Sequence, residues 1–312
     1  MITMSTLGKN GAMGNQLFQY AVLYGISKKT GFEMRIPPPP DDVHGDFQII
    51  GHTDKGNPIE KYDYSLGFFN ITSKHLSNRE MQSISRINHQ NRKIGIFDRF
   101  YRNRIKYKYC ESQFHFDPDI FSIKDGTDIE GYFQSEKYFS HCANAIRKEY
   151  SVKNRYLEDA QFILNKYRSN SDQIISAHVR RAGHELPEYQ HAHKYPDEIY
   201  YQNAMDYFRS KFSKLKFLFF SDDIAWCKSK FIGKDIVFSE NNSSIIDFTM
   251  MSHCDHNIIT PSSFSWWASW LNINEEKIVI VPDGDLFGPE GPKISRDYFP
   301  NSVRRISVEK VG

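Results

Sequence analysis

Cysteine is scarce in this chain, and the four that occur (Cys110, Cys142, Cys227 and Cys254) lie far apart. That spacing fits neither a zinc site nor a disulfide framework, so reduced, mostly buried thiols are expected. Long apolar runs are missing too. None approaches the ~20 residues of a membrane-spanning helix, and the N-terminus lacks the charged-then-apolar order of a secretory signal. The expected location is therefore cytoplasmic, and the sequons at Asn70, Asn241 and Asn242 carry no weight. Charge of one sign is not in excess. A formal net charge of +2 excludes a general polyanion binder, and a nucleic-acid role would need a concentrated basic patch. The best candidate patch, Arg99, Arg102, Arg104, Lys106 and Lys108 among Phe100, Tyr101 and Tyr107, reads as the solvated face of an amphipathic segment. A Gly-x-x-x-x-Gly-Lys-Ser loop is absent, which argues against an ordinary NTPase.

Aromatics, by contrast, are plentiful, with 24 Phe and 18 Tyr; such rings fill cores and also stack on sugars and bases. The N-terminus reads as a strand (residues 1–7), a glycine loop (8–14), a helix (15–30) with Gly31 as its C-cap, and a second strand (32–36). Four prolines, 37–40, then stop regular structure. From residue 156 onward, short apolar strands (ending in His178, then 216–220, 235–239, 257–260 and 277–281) alternate strictly with helices (156–167, 197–212, 223–231, 245–254 and 264–271). That alternation predicts a parallel, doubly wound α/β sheet. The N-terminal βαβ unit starts a second sheet. The expected architecture is thus two Rossmann-like domains, residues 1–153 and 154–312, with a cleft between them.

Three loops in the second half leave strand ends, where open α/β sheets bind ligands. The first carries His178-Val179-Arg180-Arg181. Alternation along the strand puts His178 and Arg180 on one face and Arg181 on the other, and arginine is the side chain best shaped to grip phosphate. The second loop is Ser221-Asp222-Asp223, with carboxylates suited to ribose hydroxyls or base edges, or to helix capping. The third, Pro261-Ser262-Ser263-Phe264-Ser265, opens an aromatic helix whose free amides and dipole favour an anion; the serines would cap it with or without a ligand. Together these describe a nucleoside diphosphate site.

At this point the chain resembles the bacterial-type α-1,2-fucosyltransferases of glycosyltransferase family 11. The resemblance rests on Gly11-Ala12-Met13-Gly14-Asn15-Gln16-Leu17-Phe18-Gln19-Tyr20, on the nine residues Gly131 to Phe139, on His178 to Arg181, on Phe220 to Lys228 and on Ser262 to Leu271. It implies a GT-B-like fold, two Rossmann-like domains facing a central cleft, and inverting transfer of L-fucose from GDP-β-L-fucose to the 2-hydroxyl of a terminal galactose. Residues 1–153 would serve the acceptor and 154–312 the GDP-fucose donor. Carried over by position, Arg180 stabilises the leaving GDP, Arg181 braces the loop, and His178, Asp222, Asp223, Ser262, Ser263 and Phe264 bind the nucleotide. Gly14 belongs to the loop that approaches the donor, with Asn15 near the fucose. Fixed arginine charge removes the need for a metal, and no metal site or other cofactor is expected. A galactose-terminated glycan is the expected acceptor, nucleic acid and membrane are not expected partners, and a weak homo-oligomer is allowed.

One departure stands out. The family's His-x-Arg-Arg-x-Asp has its aspartate at the position of Gly183. The base that deprotonates the acceptor would then come from Glu185, Glu188 or His184, Glu188 being favoured because related fucosyltransferases carry a glutamate further along this loop. Two alternatives stand beside this reading: a different linkage, acceptor or donor sugar on the same fold, since the acceptor side lies in residues 37–125 where the match is weakest, and, from the missing aspartate, a silent protein that binds a sugar nucleotide or glycan without transfer. The histidines at 191 and 193 read as soluble loop residues.

Overall fold

The computed structural model describes residues 1–39, 48–52, 58–61, 64–88, 105–168, 173–181, 194–284 and 295–308. They divide into two compact units, Met1–Ser151 and Val152–Gly312. No helix among the described residues is long and apolar enough to cross a membrane.

The first unit is organised by short parallel pairings. Ile2 bridges to Met34, Thr3 to Asp128 and Ile36 to His75. After the antiparallel pair β1 (Gln48–His52) and β2 (Pro58–Lys61), β3 (Tyr107–Cys110) pairs in parallel with β4 (Thr127–Glu130). Across this sheet the order is residue 75, 34–36, 2–3, β4, β3, so the chain's first strand lies between two strands that follow it. The strand expected over residues 1–7 is shorter than its β-prone composition suggests. The Asp128 carboxylate accepts from both the backbone N–H and the hydroxyl of Ser5 at 2.8 and 2.7 Å, which turns the chain out of the sheet. Helix α1 (Met13–Thr30) follows and ends at Gly31, whose φ of 76° and N–H bond to the Ser27 carbonyl make it the C-cap its position predicts. Two further helices, α2 (Asn78–Asn88) and α3 (Ala143–Glu149), complete the unit.

The second unit follows the sequence pattern closely. Helix α4 (Asn154–Arg168) leads into β5 (Gln173–Val179). Then α5 (Glu198–Lys211), β6 (Leu215–Ser221), α6 (Ile224–Lys230), β7 (Ile236–Phe238), α7 (Ser244–Ser252), β8 (His256–Ile258), α8 (Ser263–Leu271) and β9 (Val279–Pro282) alternate, and the strand β10 (Arg304–Ile306) comes last. The strand β10 has no counterpart in the sequence reading. All six strands are parallel, in the order β10-β9-β8-β5-β6-β7. This is the doubly wound Rossmann order, whose direction reverses between β5 and β8. Alternation along β5 sends Ile175, Ala177 and Val179 into a core with Tyr200, Tyr201, Met205 and Phe208 of α5 and Cys227 of α6. Ser176 and His178 face the other way, where Asn257 Nδ2 donates to Ser176 at 2.7 Å and to the Met251 carbonyl at the end of α7. Of the thiols, Cys227 and Cys254 are buried, Cys142 half-buried and Cys110 exposed; the exposed one departs from expectation.

Candidate active site

The sheet order reverses between β5 and β8, and two of the expected nucleotide residues meet at the carboxyl ends of these strands. His178 lies beside Phe264, their ring centroids 5.6 Å apart, and its Nδ1 is 3.4 Å from the Thr260 hydroxyl beyond β8. Phe264 in turn packs edge-on against Phe248 of α7 at 5.4 Å. His178 is 6% exposed. Burial pushes its pKa down to about 4, with the Asp222 carboxylate opposing the shift and Arg180 adding to it. The ring is therefore neutral at physiological pH, and the positive charge of the site belongs to arginine.

Arg180 and Arg181 divide as the strand alternation requires. Arg180, with 44% of its side chain exposed, holds the Asp222 carboxylate at 2.8 Å and donates to the Tyr195 hydroxyl. Arg181 turns to the α6 side. Its guanidinium lies 4.1 Å from the Trp226 ring centroid, its Nε is 3.6 Å from Asp223, and its backbone N–H donates to Asp222 at 2.8 Å. The adjacent aspartates thus do different things. Asp223 caps α6 by accepting from the Trp226 N–H at 2.9 Å, while Asp222 ties together the two consecutive arginines.

Ser262 and Ser263 open α8 as expected, but plain capping does not describe them. Ser262 is the N-cap residue and its side chain makes no capping hydrogen bond. The first-turn amides of α8 are left for another acceptor, and with the helix dipole they suit an anion.

Tyr195 is a site residue the sequence reading missed. It is half-buried, and burial raises its hydroxyl pKa, with Arg180 opposing and Asp222 adding to the shift. A tyrosine before Pro196 and the Asp197 cap of α5 looks like an ordinary helix entry; only folding brings it to Arg180. Asp247 lies near the start of α7. Burial pushes its carboxyl up to about 6 despite hydrogen bonds from Ser239 and Asn242.

Asn15 and Gly14 sit in the first unit, at the start of α1. Asn15 Oδ1 accepts from Gln134 Nε2 at 2.7 Å. Gly11 has φ 86°, and a Cβ there would come within 2.5 Å of the Asn15 side chain, so glycine is needed to seat it. Gln16 is structural: it donates to the Gly11 carbonyl and accepts from the Ser65 N–H. Gly183, His184, Glu185 and Glu188 lie outside the described residues, as do residues 99–104 of the basic run. Within the rest of that run, Lys108 pairs with Glu130 at 2.5 Å. Among the described residues no group of three or more His, Cys, Asp or Glu side chains could hold a metal ion.

The His178 environment predicts a pH effect on stability. Between pH 6.5 and about 4 the unfolded imidazole takes up a proton that the folded one refuses. Stability from this group is complete above pH 6.5 and is lost as pH falls toward 4, by about 3 kcal/mol. In urea unfolding from pH 7 to 4, His178→Phe should flatten that acid limb. An unchanged slope would assign the limb to other groups.

A model of glycosyl transferase family 11 matches residues 69–285. Among similar proteins is the O-antigen biosynthesis glycosyltransferase WbnK of Escherichia coli, 28% identical, the match covering 94% of this chain and 98% of that one. An alpha-1,2-colitosyltransferase of Escherichia coli is 28% identical over 87% of this chain and 89% of its own. Galactoside alpha-(1,2)-fucosyltransferase 2 of Bos taurus is 26% identical over 86% and 69%. Among solved structures, a variant of Arabidopsis thaliana FUT1 in complex with GDP superposes with a TM-score of 0.51 at 9% identity, covering 90% of this chain and 69% of that one, a likeness of fold. The matched family model spans more than half of the chain and includes the His178, Asp222 and Ser262 loops together: the chain belongs to glycosyl transferase family 11.

Proposed function

We propose that the protein is an inverting, metal-independent α-1,2-fucosyltransferase that moves L-fucose from GDP-β-L-fucose to the 2-hydroxyl of a terminal galactose. The observation that carries this reading is the set of residues at the carboxyl ends of β5 and β8. There an exposed guanidinium, a neutral histidine and an uncapped helix N-terminus converge, an arrangement suited to a diphosphate. The α-1,2 linkage is supported by the names of two relatives. In this reading the fold is GT-B-like, the second unit takes the donor and the first the acceptor.

The galactose 2-hydroxyl attacks C1 of fucose, Glu188 takes its proton, and the electron pair of the C1–O bond leaves with GDP. Negative charge grows on the β-phosphate as that bond breaks. Arg180 exchanges Asp222 for the phosphate, and the first-turn amides of α8 with Ser262 and Ser263 hold the remaining oxygens. Arg181, fixed between Trp226, Asp223 and Asp222, keeps the loop in place. Phe264 and His178 face the nucleotide, and Asn15 approaches the fucose. The charge is met by fixed cations and amides, so no metal is required.

A second reading changes only the donor sugar. A relative of equal identity is named for colitose rather than fucose, so family and linkage leave the sugar open. The test is GDP release from GDP-fucose and other GDP-sugars in EDTA, with and without β-galactosides, followed by NMR of the product linkage. Acceptor-dependent release from GDP-fucose with an α-1,2 product is expected. Preference for another GDP-sugar would select the second reading, and donor binding without release would select a silent binding protein. Full turnover by Glu188→Gln would move the base to Glu185 or His184.

A further inference from the structure

The first unit has a reversal point of its own. Its first strand, which pairs at Ile2 and Thr3, lies between residues 34–36 and β4, so the loops that follow that strand and β4 leave adjacent strands at the carboxyl edge of the sheet, the place where such sheets bind ligands. Besides charged Lys9, Glu136 and Lys137, these loops carry three neutral groups: Asn15 and Gln134, joined at 2.7 Å, and Tyr132. The tyrosine is 42% exposed, whereas Phe133 beside it is 1% exposed.

That turn is held in an unusual conformation. Gly131 has φ 153° and Phe133 φ 53°; left-handed backbone is costly for phenylalanine. The Glu111 carboxylate opposes this cost by accepting from the Tyr132 N–H at 2.7 Å and the Phe133 N–H at 2.9 Å. Burial raises the Glu111 pKa while these two amides lower it. A Cβ on Gly131 would lie 2.4 Å from Glu111 Cβ and 2.8 Å from the Phe133 ring, so carboxylate and turn fit each other closely. The result is an aromatic ring kept out of the core, on the same loop as Gln134, whose amide can donate to and accept from hydroxyls. An apolar face with neutral hydrogen-bonding groups matches a neutral sugar rather than a phosphate.

We propose that Tyr132 is the platform on which a sugar ring of the acceptor stacks, and that Glu111 is the positioning residue that holds it there. The proposal rests on the transferase reading above. The experiment compares steady-state kinetics of Tyr132→Ala, Tyr132→Phe, Glu111→Ala and Glu111→Gln on a β-galactoside acceptor, with GDP affinity measured by calorimetry. Tyr132→Ala should raise the acceptor KM roughly five- to tenfold and leave the GDP Kd unchanged, while Tyr132→Phe keeps the wild-type KM. Glu111→Ala should raise the acceptor KM likewise, and Glu111→Gln, which keeps one acceptor oxygen, should fall between. Should wild type turn over and Tyr132→Ala keep its acceptor KM within twofold, the platform is overturned and the transferase reading stands. Should wild type consume no GDP-sugar with any galactoside, the reading falls and the platform with it.

Discussion

Arg180→Ala is expected to lower kcat by about 10²–10³-fold, the usual cost of removing one preorganised group that meets charge developing in a transition state. The fold should not notice. Arg180 is exposed and its Asp222 partner lies at the protein surface, where such a pair contributes roughly 0–1 kcal/mol. A loss in kcat at an unchanged unfolding midpoint therefore separates chemistry from structure. Arg180→Lys keeps the charge but loses the planar fork that matches two phosphate oxygens, so it should recover only part of the rate. Asp222→Asn supplies the complementary measurement. It releases Arg180 from its ion pair, but it also weakens the bond from the Arg181 N–H, so tighter GDP binding should come with a less well placed loop. An Arg180→Ala enzyme within threefold of wild-type kcat would remove the leaving-group role.

The second unit was legible because its periodicities are local. Residues 174–177 are an apolar run that ends in His178, and the strand found there ends at Val179. The division of His178 and Arg181 between Phe264 and Trp226 follows from alternation alone. Other features depend on partners distant in sequence. Asp222 and Asp223 read alike as caps, yet one caps and the other pairs two arginines, since only the folded loop brings Arg180 and Arg181 within reach of Asp222. The β-prone N-terminus loses its expected strand beyond Thr3 because Asp128 captures Ser5. Tyr195 meets Arg180 only in the folded chain. In the first unit, strands that pair through single bridges at Ile2, Thr3 and Ile36 are too short to show a period of two, so its sheet was half visible at best.

The second large effect concerns the helix that presents the anion site. Trp266→Ala should destabilise the fold by about 3–5 kcal/mol, a large part of the ~5–15 kcal/mol of a typical domain. Trp266 is 1% exposed, its ring packs against Trp267 at 4.9 Å and stacks on Trp270 at 6.3 Å, and its Nε1 donates to the Tyr298 carbonyl at 2.7 Å. Trp266→Phe keeps much of the ring but leaves that carbonyl without its donor, a milder loss of about 1–3 kcal/mol. These costs bear on binding because α8 carries Ser262, Ser263 and Phe264 at its N-terminus. A ligand that binds only the folded state stabilises it by about 2.7 kcal/mol at one hundred times its Kd. Because that gain depends on Kd, Trp266→Phe, which loosens α8, should gain less from a fixed excess of GDP than wild type does, whereas Phe18→Leu, at a fully buried position of the first unit, should gain as much as wild type. If GDP lifts the Trp266→Phe midpoint as much as it lifts that of wild type, the α8 N-terminus is not part of the diphosphate site, and the anion must be held by the arginine loop without it.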